Sequence, residues 1–448
     1  MRKVEKRAKM CLALAAVLFL GIVVYTWRFV THGEEWASFY GNLQIYTDGK
    51  INRGTVYDRN NVMLMDCTPD GILYSDDAEI RKATVHAVGD PKGNVSTGAI
   101  NMWKGELIGY DLLNGTYDTT MEGKKIRLTI DSEACRTAYE YLSWRTGTVG
   151  VFNYKTGEIL CMVSTPTFDP AYEEPDVTDE DEAAVYFNNF LLGTMTPGST
   201  FKLVTAAAAI NELGDLSDWE YDCEGHEDFG PDRIACTKAH GTVGFEDALA
   251  VSCNCAFGEL SREIGATALA SQTQGVGLTS SVDVDGILTA AGSFTFPEDN
   301  DVMLSWAGIG QAKDLVNPCS MMVYVGAIAN GGEAIRPTLI SSSNILKKLG
   351  GGKSLGRYLS EETAFKLRQM MKNNVEVTYG AYNYGDLDIY AKSGTAEVGD
   401  REDGWFVGFI DNEAYPLAFV VWVRGGGTGY EVCGPIARDV LNTIIANN

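Results

Sequence analysis

Residues 196–210 have the sequence TPGSTFKLVTAAAAI, and this stretch predicts a helix that begins beside a reactive serine. The alanine-rich run after Phe201 favours a helix, and a Pro-Gly pair before Ser199 is typical of a helix start. Helical side chains three positions apart share a face, so we expect the Ser199 hydroxyl and the Lys202 amine to lie within reach. A lysine whose pKa is lowered by burial or nearby positive charge can take the proton of a serine nucleophile. The alternative is a core helix with a capping serine and a lysine that extends to solvent.

Two further motifs follow in order, Ser252-Cys253-Asn254 and Lys392-Ser393-Gly394-Thr395. Each motif alone is weak, because a serine followed three residues later by lysine is expected about once by chance in a chain of ordinary composition and this length. Their order and context make the set specific. The candidate catalytic residues are Ser199, Lys202, Ser252, Asn254 and Lys392, and the candidate substrate-binding and oxyanion residues are Ser393, Gly394 and Thr395.

This set resembles the active-site motifs of class B penicillin-binding proteins. The resemblance covers about residues 50 to 430, and it includes Arg53 to Asn60, where Asn61 replaces the usual following glycine. Further matching segments are Leu128 to Asp131, Lys155 to Ile159, Gly308 to Gln311, Pro318, Ala329 to Gly331 and Trp405 to Phe409. The resemblance implies a mixed α/β (α+β) penicillin-binding transpeptidase fold. It consists of an antiparallel sheet flanked by helices, preceded by a β-rich pedestal and one N-terminal transmembrane helix.

The resemblance also implies a chemistry without a cofactor. Ser199 would attack the carbonyl between the last two D-alanines of a peptidoglycan stem peptide and D-Ala would leave, with Lys202 as base and Ser252 as proton relay. Asn254 would bind the substrate amide and orient Lys202, while Lys392 and Ser393 would bind the substrate carboxylate. The backbone N–H groups of Ser199 and Thr395 would form the oxyanion hole.

An amine from a second stem peptide would then resolve the acyl-enzyme, and β-lactams would acylate the same serine. Three alternatives stay open at this point: a D,D-carboxypeptidase that uses water as acceptor, a relative of the β-lactamases, and a non-catalytic scaffold that recruits wall-synthesis partners and would tolerate loss of Ser199, Lys202 or Lys392. The second alternative does not require the segment from Arg53 to Asn60.

The N-terminal segment predicts a membrane anchor. Met10 to Tyr25 is nearly unbroken apolar sequence, and five basic residues precede it. The positive flank predicts a cytoplasmic tail over residues 1–9 and a single span over residues 10–30, with everything after about residue 32 outside the cytoplasm. A cleaved signal peptide is the competing interpretation, which the bulky sequence Tyr25-Thr26-Trp27-Arg28 disfavours.

Residues 34–127 predict a pedestal of short strands, such as Gly41 to Tyr46, and residues 128–448 the transpeptidase domain. Arg53, Asp58 and Arg59 are expected to form an ion-pair network that holds the two together. The pedestal is too short for a glycosyltransferase domain, which predicts a monofunctional enzyme. The resemblance implies a membrane glycan polymerase of the SEDS type as partner.

The sheet of the catalytic domain is predicted from five runs of strand-forming residues. A hairpin is expected over residues 148–153 and 158–163, and later strands over Ile389 to Thr395, Trp405 to Ile410 and Leu417 to Val423. A final helix is expected from Pro435 to Ala446. Strands at both ends with helices between them favour one antiparallel sheet flanked by helices.

The net charge and the cysteine content bear on two further functions, nucleic-acid binding and metal binding. The formal net charge of -24 argues against a nucleic-acid partner, which needs a basic surface. Among ten cysteines, Cys223 and Cys236 lie near His226 and His240 with a spacing that fits a zinc finger poorly. A Cys223–Cys236 disulfide or free thiols are therefore favoured over a metal, and Cys253 and Cys255 are expected to be buried packing residues.

Overall fold

The computed structural model describes residues 2–39, 45–110, 123–142, 144–341 and 352–447. Most of the predicted strand from Gly41 to Tyr46 lies outside the described residues. Its last residue begins a two-residue strand, Tyr46–Thr47, which pairs with Lys50–Ile51.

The N-terminal segment is one long helix, Arg2–Ala37. Its apolar side chains do not pack on the rest of the chain, since Leu12, Val17 and Phe19 are each about two-thirds exposed or more. The helix is long and apolar enough to cross a membrane between Arg2 and Gly33. Burial of such a surface by lipid is favourable, so the helix is suited to anchor the chain in a membrane.

The pedestal contains a four-stranded sheet among its described residues. In spatial order its strands are Gly71–Tyr74, Met63–Thr68, Thr55–Tyr57 and Lys125–Arg127, and the last pair is parallel. Three helices follow the first three of these strands along the chain: Ala78–Val88, Ala99–Met102 and Lys104–Leu107.

The segment from Arg53 to Asn60 ties this sheet to the catalytic domain. Asp58 is fully buried, and its carboxylate accepts hydrogen bonds from the hydroxyl (2.7 Å) and the backbone N–H (3.2 Å) of Ser132. Arg59 forms an ion pair with Glu158 at 3.8 Å. The prediction that Asp58 belongs to an ion-pair network is therefore wrong. Its carboxylate is held by hydrogen bonds, because its neighbours are N–H and O–H donors. Asn61 has a φ of 67°, which explains why glycine is usual there.

The catalytic domain is built on a five-stranded antiparallel sheet in the part of the chain described. The strand order is Ile389–Val398, Arg401–Ile410, Leu417–Val423, Gly147–Asn153 and Ile159–Thr165. The central strand, Leu417–Val423, is buried along its whole length. Such a strand packs on both faces, which is why its sequence is continuously apolar.

Helices flank this sheet. Pro318–Ala329 is buried at every position and packs on the central strands, while Ser132–Leu142 and Gly429–Asn447 pack on the sheet and on one another. The remaining longer helices are Lys202–Leu213, Asn254–Gly275, Asp301–Gly308 and Glu361–Asn374, and the short ones are Glu180–Ala183, Asn189–Leu192 and Phe245–Ala250. Short hairpins pair Glu220–Cys223 with Gly241–Gly244, His226–Phe229 with Asp232–Ala235, Asp283–Val284 with Ile287–Leu288, and Glu333–Ile335 with Ser354–Arg357.

The last helix begins six residues before the predicted start at Pro435. That prediction used proline as a first helical residue, whereas here Pro435 lies inside the helix. The first turn is already formed upstream, because the N–H groups of Glu431 and Val432 donate to the Thr428 carbonyl.

Candidate active site

Ser199 lies in a tight turn directly before its helix. Gly198–Phe201 forms a 3-10 turn and the α-helix begins at Lys202, whereas the sequence predicted a helix from the serine onward. In a 3-10 turn side chains three apart eclipse one another, so Ser199 and Lys202 still share a face. Gly198 has a φ of 53°, and a Cβ there would stand 2.7 Å from the Thr395 carbonyl oxygen. The turn and the Lys392 strand therefore approach closely because this residue is glycine.

Lys202 is fully buried, and its amine bonds to the second motif. Nζ donates to the Ser252 carbonyl at 2.7 Å, to Ser252 Oγ at 3.2 Å and to Asn254 Oδ1 at 2.7 Å. Burial lowers the pKa of Lys202 to about 8, against the raising influence of nearby thiols. Within the described contacts, no hydrogen bond joins Ser199 to Lys202, so this lysine is positioned by Ser252 and Asn254.

Ser252 connects the two lysines of the site. Its hydroxyl accepts from Lys202 and also from Lys392 Nζ at 3.1 Å. Its φ of 55° is rare for a residue with a Cβ, and it turns the chain between the helix Phe245–Ala250 and the helix that begins at Asn254. This conformation lets the carbonyl and hydroxyl of one residue face Lys202 together.

Lys392 is the second fully buried amine. Nζ also donates to the Ser393 carbonyl at 2.8 Å. Burial, and then the charge of Lys202, lower its pKa well below the usual value. In a buried site, charging both of two amines that share one hydroxyl costs free energy, because the two positive charges repel each other and neither is well solvated.

The rest of the third motif packs against the nucleophile turn. A Cβ at Gly394 would stand 3.0 Å from the Pro197 carbonyl oxygen, and Thr395 pairs with Gly404 in the neighbouring strand. The structure therefore brings the eight predicted site residues into one region, at the edge strand of the sheet.

Sequence reasoning missed two residues that position this region. The Tyr379 hydroxyl accepts from Ser393 N–H at 2.9 Å and from Ser393 Oγ at 3.1 Å. Trp405 Nε1 donates to the Thr196 carbonyl at 2.9 Å, next to the nucleophile turn. Trp405 lies in the segment Trp405 to Phe409, which carries part of the family resemblance, but no motif marks Tyr379, which lies in a single π-helical turn, Val375–Tyr379.

The cysteine and histidine cluster differs from the predicted set. Cys223, Cys236 and His240 lie together, but the fourth member is Cys253 of the second motif. His226 instead faces Asp228 at 3.7 Å on the surface. Cys223 and Cys236 are free thiols with sulfur atoms 3.7 Å apart, so the structure contains no disulfide between them.

Comparison with known proteins identifies the family of the chain. The penicillin binding protein transpeptidase domain matches residues 147–442. The chain is 29% identical over 333 residues to the peptidoglycan D,D-transpeptidase PbpA of Mycobacterium tuberculosis, and the alignment covers 67% of each protein. It is 28% identical over 365 residues to stage V sporulation protein D of Bacillus subtilis, covering 72% of this chain and 54% of that protein.

A solved structure supports the fold. Penicillin-binding protein A from M. tuberculosis, in a ceftriaxone acyl-enzyme complex, has a TM-score of 0.74 at 23% identity, over 87% of this chain and 97% of that one. Fold and site together define a penicillin-binding transpeptidase. This chain belongs to that family, and within it to the class B proteins. The family and the fold predicted from the motifs are confirmed.

Proposed function

We propose that the protein is a monofunctional peptidoglycan D,D-transpeptidase that acts through an acyl-serine intermediate and is a target of β-lactams. The observation that carries this proposal is the pair of buried lysines, Lys202 and Lys392, that share the Ser252 hydroxyl beside the Ser199 turn. The mycobacterial relative PbpA is a peptidoglycan D,D-transpeptidase.

In the acylation step, Ser199 Oγ attacks the carbonyl between the two terminal D-alanines of a stem peptide. Neutral Lys202 takes the Ser199 proton, and its lowered pKa keeps a useful fraction of the amine neutral near pH 7. Ser252 passes a proton toward the departing amine of D-Ala, because its hydroxyl already contacts both lysines.

Substrate orientation falls to the remaining residues of the motifs. Lys392 and the Ser393 hydroxyl bind the terminal carboxylate, whose charge restores a proton to Lys392. Asn254 binds a substrate amide while its Oδ1 holds Lys202. The N–H groups of Ser199 and Thr395 stabilise the developing oxyanion, at about 3 kcal/mol per donor.

The acceptor decides between two outcomes of the same intermediate. A stem-peptide amine gives a cross-link, and water gives carboxypeptidase activity. The test incubates the full chain in detergent with lipid-linked nascent glycan carrying pentapeptide stems, and measures both released D-Ala and cross-linked dimers. We expect both products with the natural protein and neither with Ser199→Ala. Release of D-Ala without dimers would overturn the transpeptidase assignment in favour of the carboxypeptidase.

The same proposal includes the placement of the enzyme. The apolar helix passes once through the membrane with residues 1–9 in the cytoplasm, since basic residues flank its N-terminal end. Residues 34–127 form the pedestal that lifts residues 128–448 from the membrane and contacts a glycan polymerase of the SEDS type. PBP2 from Helicobacter pylori, a fold relative with a TM-score of 0.63 at 18% identity, forms a complex with MreC.

A further inference from the structure

Four side chains with metal-binding atoms meet next to the second active-site motif. Cys223 ends the strand Glu220–Cys223, Cys236 directly follows the strand Asp232–Ala235, and His240 directly precedes the strand Gly241–Gly244. The fourth, Cys253, caps the helix Asn254–Gly275. Two pairs of strands and the active-site loop therefore contribute to one cluster.

The distances in this cluster fit a tetrahedral metal site. Cys236 Sγ lies 3.7 Å from the sulfur atoms of both Cys223 and Cys253, and Cys223 Sγ lies 3.5 Å from His240 Nδ1. All four ligand atoms lie within 4.8 Å of one another. A tetrahedron with Zn–S bonds of about 2.3 Å and a Zn–N bond of about 2.0 Å requires roughly 3.8 Å between sulfur atoms and roughly 3.5 Å between sulfur and nitrogen.

We propose that Cys223, Cys236, Cys253 and His240 bind one Zn²⁺ ion, which links the strands of residues 220–244 to the loop that carries Ser252 and Asn254. Three thiolates and one imidazole form a closed Cys₃His set, the type found in structural zinc sites. A disulfide between Cys223 and Cys236 would require sulfur atoms about 2.05 Å apart, whereas they lie 3.7 Å apart in the structure.

The surroundings of Cys236 resemble those of a metal ligand. Its sulfur accepts the backbone N–H groups of Asn254 at 3.2 Å and of Cys255 at 3.5 Å. Hydrogen bonds of this kind orient a thiolate and offset part of its charge. Cys255 Sγ also lies 3.5 Å from the same sulfur, outside the group of four mutually close ligand atoms.

The site acts on catalysis through position. Asn254 donates from its side chain to the Ala235 carbonyl at 2.7 Å, adjacent to Cys236, and accepts from Lys202 with its Oδ1. Because Cys253 and Cys236 would share the metal, the ion fixes Asn254 from both sides. Cys223, Cys236, Cys253 and His240 are accordingly positioning residues, and none of them touches the reacting atoms.

The first test measures metal in the full chain, purified in detergent under reducing conditions without chelator. We expect about one Zn²⁺ per chain by plasma mass spectrometry, and a cobalt-substituted protein with the absorption of tetrahedral thiolate-bound Co²⁺. Cys223→Ser and His240→Ala should lose most of the metal. His226→Ala is the matched control, since His226 lies in the same segment but outside the cluster, and it should keep the metal.

These readouts do not depend on transpeptidase activity, so they separate the metal site from the proposed function. A natural chain that binds no Zn²⁺ or Co²⁺ after incubation with either ion would overturn the proposal, as would a Cys223–Cys236 disulfide found by mass spectrometry of the purified protein. The measurement on the natural chain stands even where a variant fails to fold. Equal metal content in His226→Ala and His240→Ala would also count against the assigned ligands.

A second test addresses the positioning role. Removal of the metal by a chelator should lower the melting temperature and slow acylation by a fluorescent penicillin, and added Zn²⁺ should restore both. Acylation that stays unchanged while the metal is removed would overturn the link between the ion and Asn254.

Discussion

Two amines at the centre of the site compete for protons. Lys202 Nζ and Lys392 Nζ bond the same Ser252 oxygen, at 3.2 and 3.1 Å, so they lie at most about 6 Å apart. Two unit charges at about that distance repel by roughly 3 kcal/mol at an effective dielectric constant of about 20. The resting site therefore favours a single proton on the pair. In the free enzyme the neutral amine is Lys392, whose pKa is lowered well below its usual value by burial and by the charge of Lys202. A substrate carboxylate that returns a proton to Lys392 then favours the neutral form of Lys202, which acts as the base.

This arrangement predicts the pH dependence of acylation. The base must be neutral, and the pKa of Lys202 is lowered to about 8 by burial. The neutral fraction grows as pH rises, so the acylation rate constant should increase about fivefold between pH 7 and 8 and level off above that. Stopped-flow measurement with a chromogenic cephalosporin checks the profile, with the melting temperature recorded at each pH. A rate that stays flat from pH 6 to 9 would remove Lys202 as the base.

The nucleophile assignment has a direct test. Ser199 is half-buried in its turn. Its side chain forms no hydrogen bond with any other residue that the structure describes. Ser199→Ala should therefore melt within about 2 °C of the natural protein, because few contacts are lost. It should show no covalent adduct with benzylpenicillin by intact-mass spectrometry. A β-lactam adduct mapped to another residue would refute the assignment.

Tyr379 is expected to contribute to activity through Ser393. Tyr379→Phe keeps the ring contacts with Phe406 and Tyr430 but removes the hydroxyl that accepts two hydrogen bonds from Ser393. Leaving the Ser393 donors without an acceptor costs about 1–3 kcal/mol. Because Ser393 is expected to bind the substrate carboxylate, we expect acylation to slow by about tenfold. Tyr382→Phe is the control, because Tyr382 is 87% exposed on the same segment. Equal rates for both variants would contradict the role.

At the scale of elements, Asp58 is one of the buried contacts between the pedestal and residues 128–448, together with the ion pair of Arg81 and Asp169. Its carboxylate accepts from Asn60, Val62 and Ser132, and it is fully buried. Asp58→Ala leaves these donors without a partner, which should destabilise the protein by about 2–4 kcal/mol. The segment contains no nucleophile or base, so the acylation rate of the folded variant should match the natural rate.

Calorimetry and acylation kinetics together check this prediction. Asp70→Ala serves as control, because Asp70 is exposed at a turn of the same pedestal sheet. An Asp58→Ala protein that melts normally but acylates slowly would show that the segment acts on catalysis.

The elements show which features a sequence can predict. Leu417–Val423 was predicted to the residue, because a strand buried on both faces is an unbroken apolar run between polar turns. The left-handed conformation of Ser252 and the contact between Tyr379 and Ser393 were not predicted, since each depends on segments distant in the chain. The cysteine cluster was only partly predicted for the same reason: His226 is close in sequence, but Cys253 is close in space.

At the scale of the whole molecule, the charge and the anchor act together. The chain carries a net charge of -24, yet residues 2–9 contain five basic residues and one acidic residue. This contrast favours a cytoplasmic N-terminus, because basic residues that flank a membrane span usually stay on the cytoplasmic side. We therefore predict that the folded domains lie on the opposite side of the membrane, where the proposed substrate is found.

Protease digestion can test this topology. Protease added to intact spheroplasts should digest the chain down to about the first thirty residues, because only the tail and the span are shielded by the membrane. Epitope tags at the two termini report the result: the N-terminal tag should survive until detergent is added, and the C-terminal tag should disappear at once. A cytoplasmic protein followed in the same sample shows that the spheroplasts stayed intact. A C-terminal tag protected until lysis would place the catalytic domain inside the cell, away from its substrate, and would overturn both the topology and the use of the Arg2–Ala37 helix as an N-in anchor.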